Sequence, residues 1–130
     1  MIYLDSSALV KLALTEAESA ELSAWLAGRP NLVRVSSPLA RVEVPRAVWR
    51  ADPGALPEAY KVTQRITPVL LTEEVLSRAA RTRPPSLSSP DAIHLASALL
   101  IRKDLTTFVA YDKRLLDAAR DAGLETASPA

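Results

Sequence analysis

Hydrophobic positions along the chain follow two rhythms. Short apolar runs stand at Ile2–Leu4, Val33–Ser36, Pro68–Leu71, Thr107–Ala110 and Leu124–Ala127, each of a length that suits a buried strand. Between them lie stretches with helical spacing. An apolar helical pattern resumes directly after Ser6 and Ser7. Thr15 and Glu18 form a capping-box pattern ahead of AESAELSAWLA, and Gly28 suits the end of that helix. Ser37 and Pro38 open another helix, running through Trp49. Thr72, Glu73 and Glu74 open a third, with acids at its positive end. Ser89 and Pro90 open a fourth over DAIHLASALLIRK, and a fifth begins near Asp112 and stops before Gly123. Pro45 falls inside the Ser37–Trp49 segment, where it removes one backbone hydrogen bond and predicts a kink near Glu43. The one clear loop is RPPSLSSP, from Arg83 to Pro90.

Strand–helix alternation of this kind implies a parallel sheet covered by helices. A length of 130 residues suits one domain over residues 1–130, and 48% hydrophobic residues supply a sizeable core. There is no internal repeat and no apolar stretch of about 18 residues, so no membrane span is expected. The apolar start lacks a basic region and is interrupted by Asp5, so it does not read as a signal peptide. With no cysteine, disulfides and thiolate zinc sites are excluded. Together these features fit a cytoplasmic protein. Charge is almost balanced, 16 basic against 15 acidic residues, and a net charge of +1 exerts little pull on nucleic acid. Arg greatly outnumbers Lys, which suits phosphate contacts but also matches the composition of Arg-rich, Ala-rich genomes. Binding to nucleic acid then needs a local basic patch, or a basic surface made with a partner.

Candidate chemistry lies in four acids. Asp5 ends the first apolar run, Asp112 follows the TTFVAY strand and starts a helix, and Asp91 is in the first turn of a helix after the loop. Glu43 is mid-helix between Val42 and Val44. In open α/β sheets, ligands bind outside the carboxyl ends of the strands. Asp5 and Asp112 project there directly, Asp91 reaches the edge from a helix start, and Glu43 from the side. Carboxylates brought together repel and take up protons unless a cation sits among them. Oxygen donors suit Mg²⁺ or Mn²⁺, and one histidine without cysteine makes zinc improbable. Such a cluster supports metal-assisted phosphate ester hydrolysis. Plainer readings stand beside each residue. Asp112 alone is a helix N-cap, Asp91 alone a favourable acid at a positive helix end, and Glu43 alone a member of a solvated face. Asp5 has the weakest such alternative, since Ser6 competes for the capping role.

Four stretches, YLDSSALVKL, RVEVPRAV, SPDAIHLASAL and VAYDKRLLDAAR, resemble in order the signature segments of the PIN-domain ribonucleases. They are most similar to the VapC toxins of VapBC toxin–antitoxin pairs, and the resemblance spans essentially the whole chain. It implies a three-layer α/β/α sandwich around a mostly parallel sheet. It implies an Mg²⁺- or Mn²⁺-dependent endoribonuclease that leaves a 5′-phosphate and a 3′-hydroxyl. By the same resemblance Asp5 and Asp91 are the main metal ligands, Glu43 binds metal or orients water, and Asp112 completes the site. Ser6 matches the hydroxyl that usually follows the first Asp and supports the site by hydrogen bonding. A cognate VapB-type antitoxin and a homodimer are also implied. One departure is Ala110, where the family often has Thr or Ser, so a hydroxyl near Asp112 is missing.

Other residues carry weaker signals. His94, the only histidine, is three residues after Asp91 and is expected to pack or hydrogen-bond rather than react. Lys113 and Arg114 are candidate RNA contacts. Lys11 is expected to be solvated or at the pocket rim, and Arg46 to pair with a carboxylate or meet the antitoxin. Trp25 and Trp49 read as core or interface residues, and the TEAESAELSAWLAG helix as part of an antitoxin groove. The alternative function is a catalytically silent PIN-like RNA- or protein-binding module, but four intact carboxylates argue against it. A phospho-receiver needs adjacent acids after the first strand, and a haloacid-dehalogenase-type phosphatase needs Asp-x-Asp there. A lone Asp5 followed by Ser6 and Ser7 fails both.

Overall fold

All five apolar runs contribute to one sheet, though all but the first with altered bounds. In a computed structural model covering residues 1–130, the strands are β1 (Ile2–Leu4), β2 (Arg34–Ser36), β3 (Thr67–Pro68), β4 (Thr107–Val109) and β5 (Thr126–Ala127). Their order is β3-β2-β1-β4-β5, and every neighbouring pair is parallel. The chain moves outward from β1 through β2 and β3, then returns to add β4 and β5 on the other side. The C-terminal ends of β1 and β4 therefore flank the point where the winding reverses, the usual place for a ligand in such sheets.

Seven α-helices cover the two faces: α1 (Ser6–Ala13), α2 (Ser19–Ala27), α3 (Ala40–Ala51), α4 (Leu56–Gln64), α5 (Glu73–Ala80), α6 (Ser89–Leu100) and α7 (Lys113–Asp121). Successive strand residues point to opposite faces. Tyr3, Val35 and Phe108 pack with α5, α6 and α7, while Ile2, Leu4 and Val109 pack with α1 to α4. Both faces being covered explains why the strands read as continuous apolar runs. The register pairs Tyr3 with Phe108, and their rings stack at 5.3 Å and 12°.

Several expectations are corrected. The Pro68–Leu71 run pairs only at its start. It lies at the sheet edge, Pro68 has no N–H to donate, and the chain leaves the sheet by Leu70, which is 68% exposed. The Thr15/Glu18 capping box does not form. Glu18 occupies the N-cap of α2 with φ 67° and no side-chain cap, while its carboxylate pairs with Lys11 at 2.9 Å. Helix α3 begins at Ala40, because Ser37 and Pro38 form a turn in which Ser37 Oγ accepts from the Leu39 N–H. The helix then runs through buried Pro45 to Ala51. Helix α6 stops at Leu100, short of the charged end of its segment. Helix α4 had no counterpart in the pattern read from the sequence. Pro53 and Gly54 lie in a single 3₁₀ turn, and Pro57 sits in the first turn of α4, where its missing N–H costs nothing. Trp25 is half-buried with Arg29 stacked on it at 3.9 Å. Trp49 is 57% exposed and so contributes no core.

Phe108 is fully buried at the centre of the sheet. Phe108→Ala is expected to cost about 3–5 kcal/mol, and Trp49→Ala less than about 0.5 kcal/mol in the isolated chain. Urea unfolding of the two variants checks the contrast; equal losses would refute this account of the core.

Candidate active site

Asp5 is placed by backbone bonds before its side chain does anything. Its N–H donates to the Val109 carbonyl at 3.1 Å, carrying the β1–β4 ladder one residue past the strand. The Tyr111 N–H donates to Ser7 Oγ at 3.2 Å and ties the start of α1 to the segment after β4. Asp5 is the N-cap of α1. Its Oδ1 accepts from the Ala8 N–H at 3.0 Å and from Ser7 Oγ at 2.7 Å. Both bonds fall on Oδ1, leaving Oδ2 without a protein donor. The residue is 4% exposed, and no basic side chain pairs with it. Burial pushes its carboxyl up to about 6, against the pull of the Ser7 and Ala8 donors, and the nearby Asp91 charge adds to the rise.

Asp112 repeats this arrangement after β4. It N-caps α7, accepting from the Leu115 N–H on Oδ1 at 3.0 Å. Asp91 is in the first turn of α6, whose N-cap is Ser88, with Ser88 Oγ accepting from its N–H at 3.3 Å. Its half-buried carboxyl is raised by burial and by the charges of Asp112 and Glu43, more than Ser88 and His94 lower it. Asp91 thus stands within electrostatic reach of the other three acids.

Glu43 comes in from α3 and is clamped. Its Oε1 accepts from Ser6 Oγ at 2.8 Å and lies 2.8 Å from His94 Nε2. Burial raises this carboxyl, but the His94 and Ser6 contacts outweigh it and hold it below the ordinary range. His94 is 1% exposed, and its Nδ1 is 2.7 Å from the Tyr3 hydroxyl. The two serines therefore divide their work: Ser7 serves Asp5 and Ser6 serves Glu43. The sequence pointed to Ser6 but not to Ser7 or Tyr3, because a tyrosine inside a buried strand carries no signal beyond packing.

The four acids and Ser6 are thus brought to one end of the sheet. No three of the acidic and imidazole side chains are arranged to close directly around one ion. The donor set still suits a hard cation. It offers only carboxylate oxygens, one almost fully buried without a counter-charge, and Mg²⁺ keeps several waters that bridge to spread ligands. A cavity of about 810 Å³ between α5, α6 and α7 holds none of the four acids.

Basic residues divide into engaged and free. Lys11 pairs with Glu16 and Glu18 and lies 4.7 Å over the Tyr111 ring, so it is neither simply solvated nor open to phosphate. Lys113 bonds Asp117 at 2.9 Å on the surface, while Arg114 forms no ion pair. Arg46 does not pair with a carboxylate. With Arg50, Val42 and Ala47 it lines a groove of about 370 Å³ that includes Glu43. Arg50 was not singled out from the sequence, where nothing separates it from the other surface arginines.

The raised carboxyl of Asp5 has a thermodynamic consequence. A folded-state value of about 6 against an ordinary 3.8 means stability that is full below about pH 3.8 and lost as pH rises through 6. In chelator, Asp5→Asn is therefore expected to stabilise the protein at neutral pH by on the order of 3 kcal/mol, with the gain vanishing in acid. Urea unfolding across pH checks this; a gain independent of pH would mean that ionised Asp5 is not costly.

The family model for the PIN domain matches residues 2–121. Ribonuclease VapC47 of Mycobacterium tuberculosis (strain CDC 1551 / Oshkosh) is 43% identical over 132 residues, covering 99% of this chain and 97% of that protein. Ribonuclease VapC35 of Mycobacterium tuberculosis (strain ATCC 25618 / H37Rv) is 40% identical over 131 residues, with 99% and 97% covered. Among solved structures, Mycobacterium tuberculosis VapC20, described as a sarcin-ricin loop cleaving toxin, superposes with a TM-score of 0.77 at 19% identity, over 99% of this chain and 100% of that one. That last likeness is one of fold, and it matches the parallel sheet flanked by helices. The chain belongs to the PIN-domain family, among its VapC-type ribonuclease toxins.

Proposed function

We propose that this VapC-type protein is a divalent-metal-dependent endoribonuclease whose catalytic and metal-holding residues are Asp5, Glu43, Asp91 and Asp112. One observation carries the reading: a carboxylate that is 4% exposed, with no basic partner, at the switch point of a parallel sheet and within reach of further carboxylates. Such a set is costly to fold and gains its use when a cation binds. Its relatives are named ribonucleases, and a divalent metal is what the resemblance of the signature stretches implies for these carboxylates.

Asp5 and Asp91 would hold the cation, with Asp112 and Glu43 reaching it through water. When bound, Mg²⁺ or Mn²⁺ supplies Lewis-acid activation of water and neutralises charge building on the phosphate. The capping bonds fix the Asp5 and Asp112 side chains through one oxygen each and leave the other oxygen for the site. Glu43, gripped at Oε1, orients the attacking water through its remaining oxygen. Arg46 and Arg50, in the groove beside Glu43, hold RNA phosphates, and Arg114 with Lys113 serves the strand near Asp112. The products carry a 5′-phosphate and a 3′-hydroxyl.

The protein acts in the cytoplasm as a homodimer and is held inactive by a VapB-type antitoxin. Val42, 59% exposed, shares the groove with Glu43, so a partner that covers this apolar residue also closes the site. No helix is long and apolar enough to cross a membrane.

Purified protein, freed of antitoxin, is expected to cut total bacterial RNA into discrete fragments with Mg²⁺ or Mn²⁺ and not with EDTA. Asp5→Asn and Asp91→Asn should each lose at least roughly 100-fold, at or beyond the upper end of what removing an outer-shell partner costs. Metal-independent cleavage, or native rates in the folded variants, would overturn this assignment. Arg46→Ala with Arg50→Ala should weaken RNA binding and flatten its salt dependence, read from binding titrations at several salt concentrations.

A further inference from the structure

We propose that Tyr3 and His94 are positioning residues that fix the Glu43 carboxylate for the cation through a hydrogen-bonded chain anchored in the core of the sheet. The chain runs from the Tyr3 hydroxyl to His94 Nδ1 at 2.7 Å, and from His94 Nε2 to Glu43 Oε1 at 2.8 Å. An ionised carboxylate only accepts hydrogen bonds, so Nε2 must carry the proton in the second bond. In the neutral ring the Tyr3 hydroxyl then donates to bare Nδ1, which fixes the tautomer. Each member is held in turn. Tyr3 is fully buried and stacked on Phe108, and the His94 ring meets the Tyr3 ring edge-on at 5.8 Å and 82°. Ser6 Oγ adds a second donor to the same Glu43 oxygen at 2.8 Å. Both donors fall on Oε1, so Oε2 remains for the cation or its water. A glutamate on a helix face would otherwise sample several rotamers, and removing partners that orient a ligating group typically costs about 10–100-fold in metal affinity. A histidine that merely filled the core would not need a donor aimed at a carboxylate.

Given the cation reading of this site, Mn²⁺ alone is the probe. Its affinity is read by electron paramagnetic resonance for the native chain and for Asp5→Asn, Tyr3→Phe, His94→Gln and His94→Leu, with thermal unfolding of each. Tyr3→Phe and His94→Leu are expected to bind Mn²⁺ roughly 10-fold more weakly. His94→Gln, whose amide keeps a donor near the Nε2 position, should stay within about threefold of native. A purely structural role would lower the melting temperature of all three and leave Mn²⁺ affinity alone. His94 is the only histidine, so a long-range proton–nitrogen spectrum of the native chain reads one imidazole. At mildly alkaline pH it should show protonated Nε2 and bare Nδ1, and this holds as a test even if His94→Leu does not fold. A protonated Nδ1 with bare Nε2 overturns the inference. Native Mn²⁺ affinity in folded Tyr3→Phe and His94→Leu, with binding lost in Asp5→Asn, overturns it alone. A native chain that binds no Mn²⁺ overturns the cation reading as well.

Discussion

A carboxylate buried at the end of the central strand is the constraint on which the rest of this structure depends. Removing an ionised group from water is expensive unless its charge is met. Asp5 is met only by two neutral donors, the Ser7 hydroxyl and the Ala8 amide, so its affinity for a proton rises. The fold tolerates that cost because Asp5 also caps α1, and its backbone amide extends the β1–β4 ladder. Structural and functional readings of Asp5 are therefore not rivals. One oxygen does the capping, and the other is left without a protein donor. Asp112 works in the same way at the end of β4.

Parallel topology is what turns these local caps into a site. Two β-strand–helix junctions on adjacent parallel strands point the same way, so their capping residues lie at the same end of the sheet. Helix α6 adds Asp91 from its first turn, and α3 adds Glu43 from the side. Burial, with a smaller share from mutual repulsion, raises the Asp5 and Asp91 carboxyls, while the His94 and Ser6 contacts hold Glu43 below the ordinary range. The site thus combines acids that are destabilised as anions with one that is held firmly ionised. Such a division is characteristic of functional centres rather than of surface ion pairs.

The core carries a polar thread through otherwise apolar layers. Tyr3 and His94 are fully buried, and their hydrogen bonds lead from the stacked Tyr3–Phe108 pair to Glu43. Buried polar groups of this kind are satisfied in a single arrangement, which favours a defined position for the residue at the end of the thread. Rigidity of the sheet is in this way handed to a side chain on the far helix.

The sequence by itself determined the class of the fold and marked the four acids that the fold gathers at one end of the sheet. Alternating apolar runs and helical segments require a covered parallel sheet, and Asp5, Asp91 and Asp112 stand beside strand ends and helix starts that the pattern locates directly. Local signals also placed the Thr72 start of α5, the Ser89–Pro90 start of α6 and the end of α7 before Gly123. Other features depended on distant contacts. Whether Pro68–Leu71 pairs was decided by its edge position and by Pro68, and α4 formed despite two prolines because both fell at helix starts. Glu18 left its expected capping role because Lys11, one helix earlier, was within reach. That Ser6 serves Glu43, and that His94 joins Tyr3 to Glu43, are decided by tertiary packing alone. Hydrogen bonds between residues up to 91 positions apart leave no periodicity in the chain to read. They exist only once the sheet has set the distances.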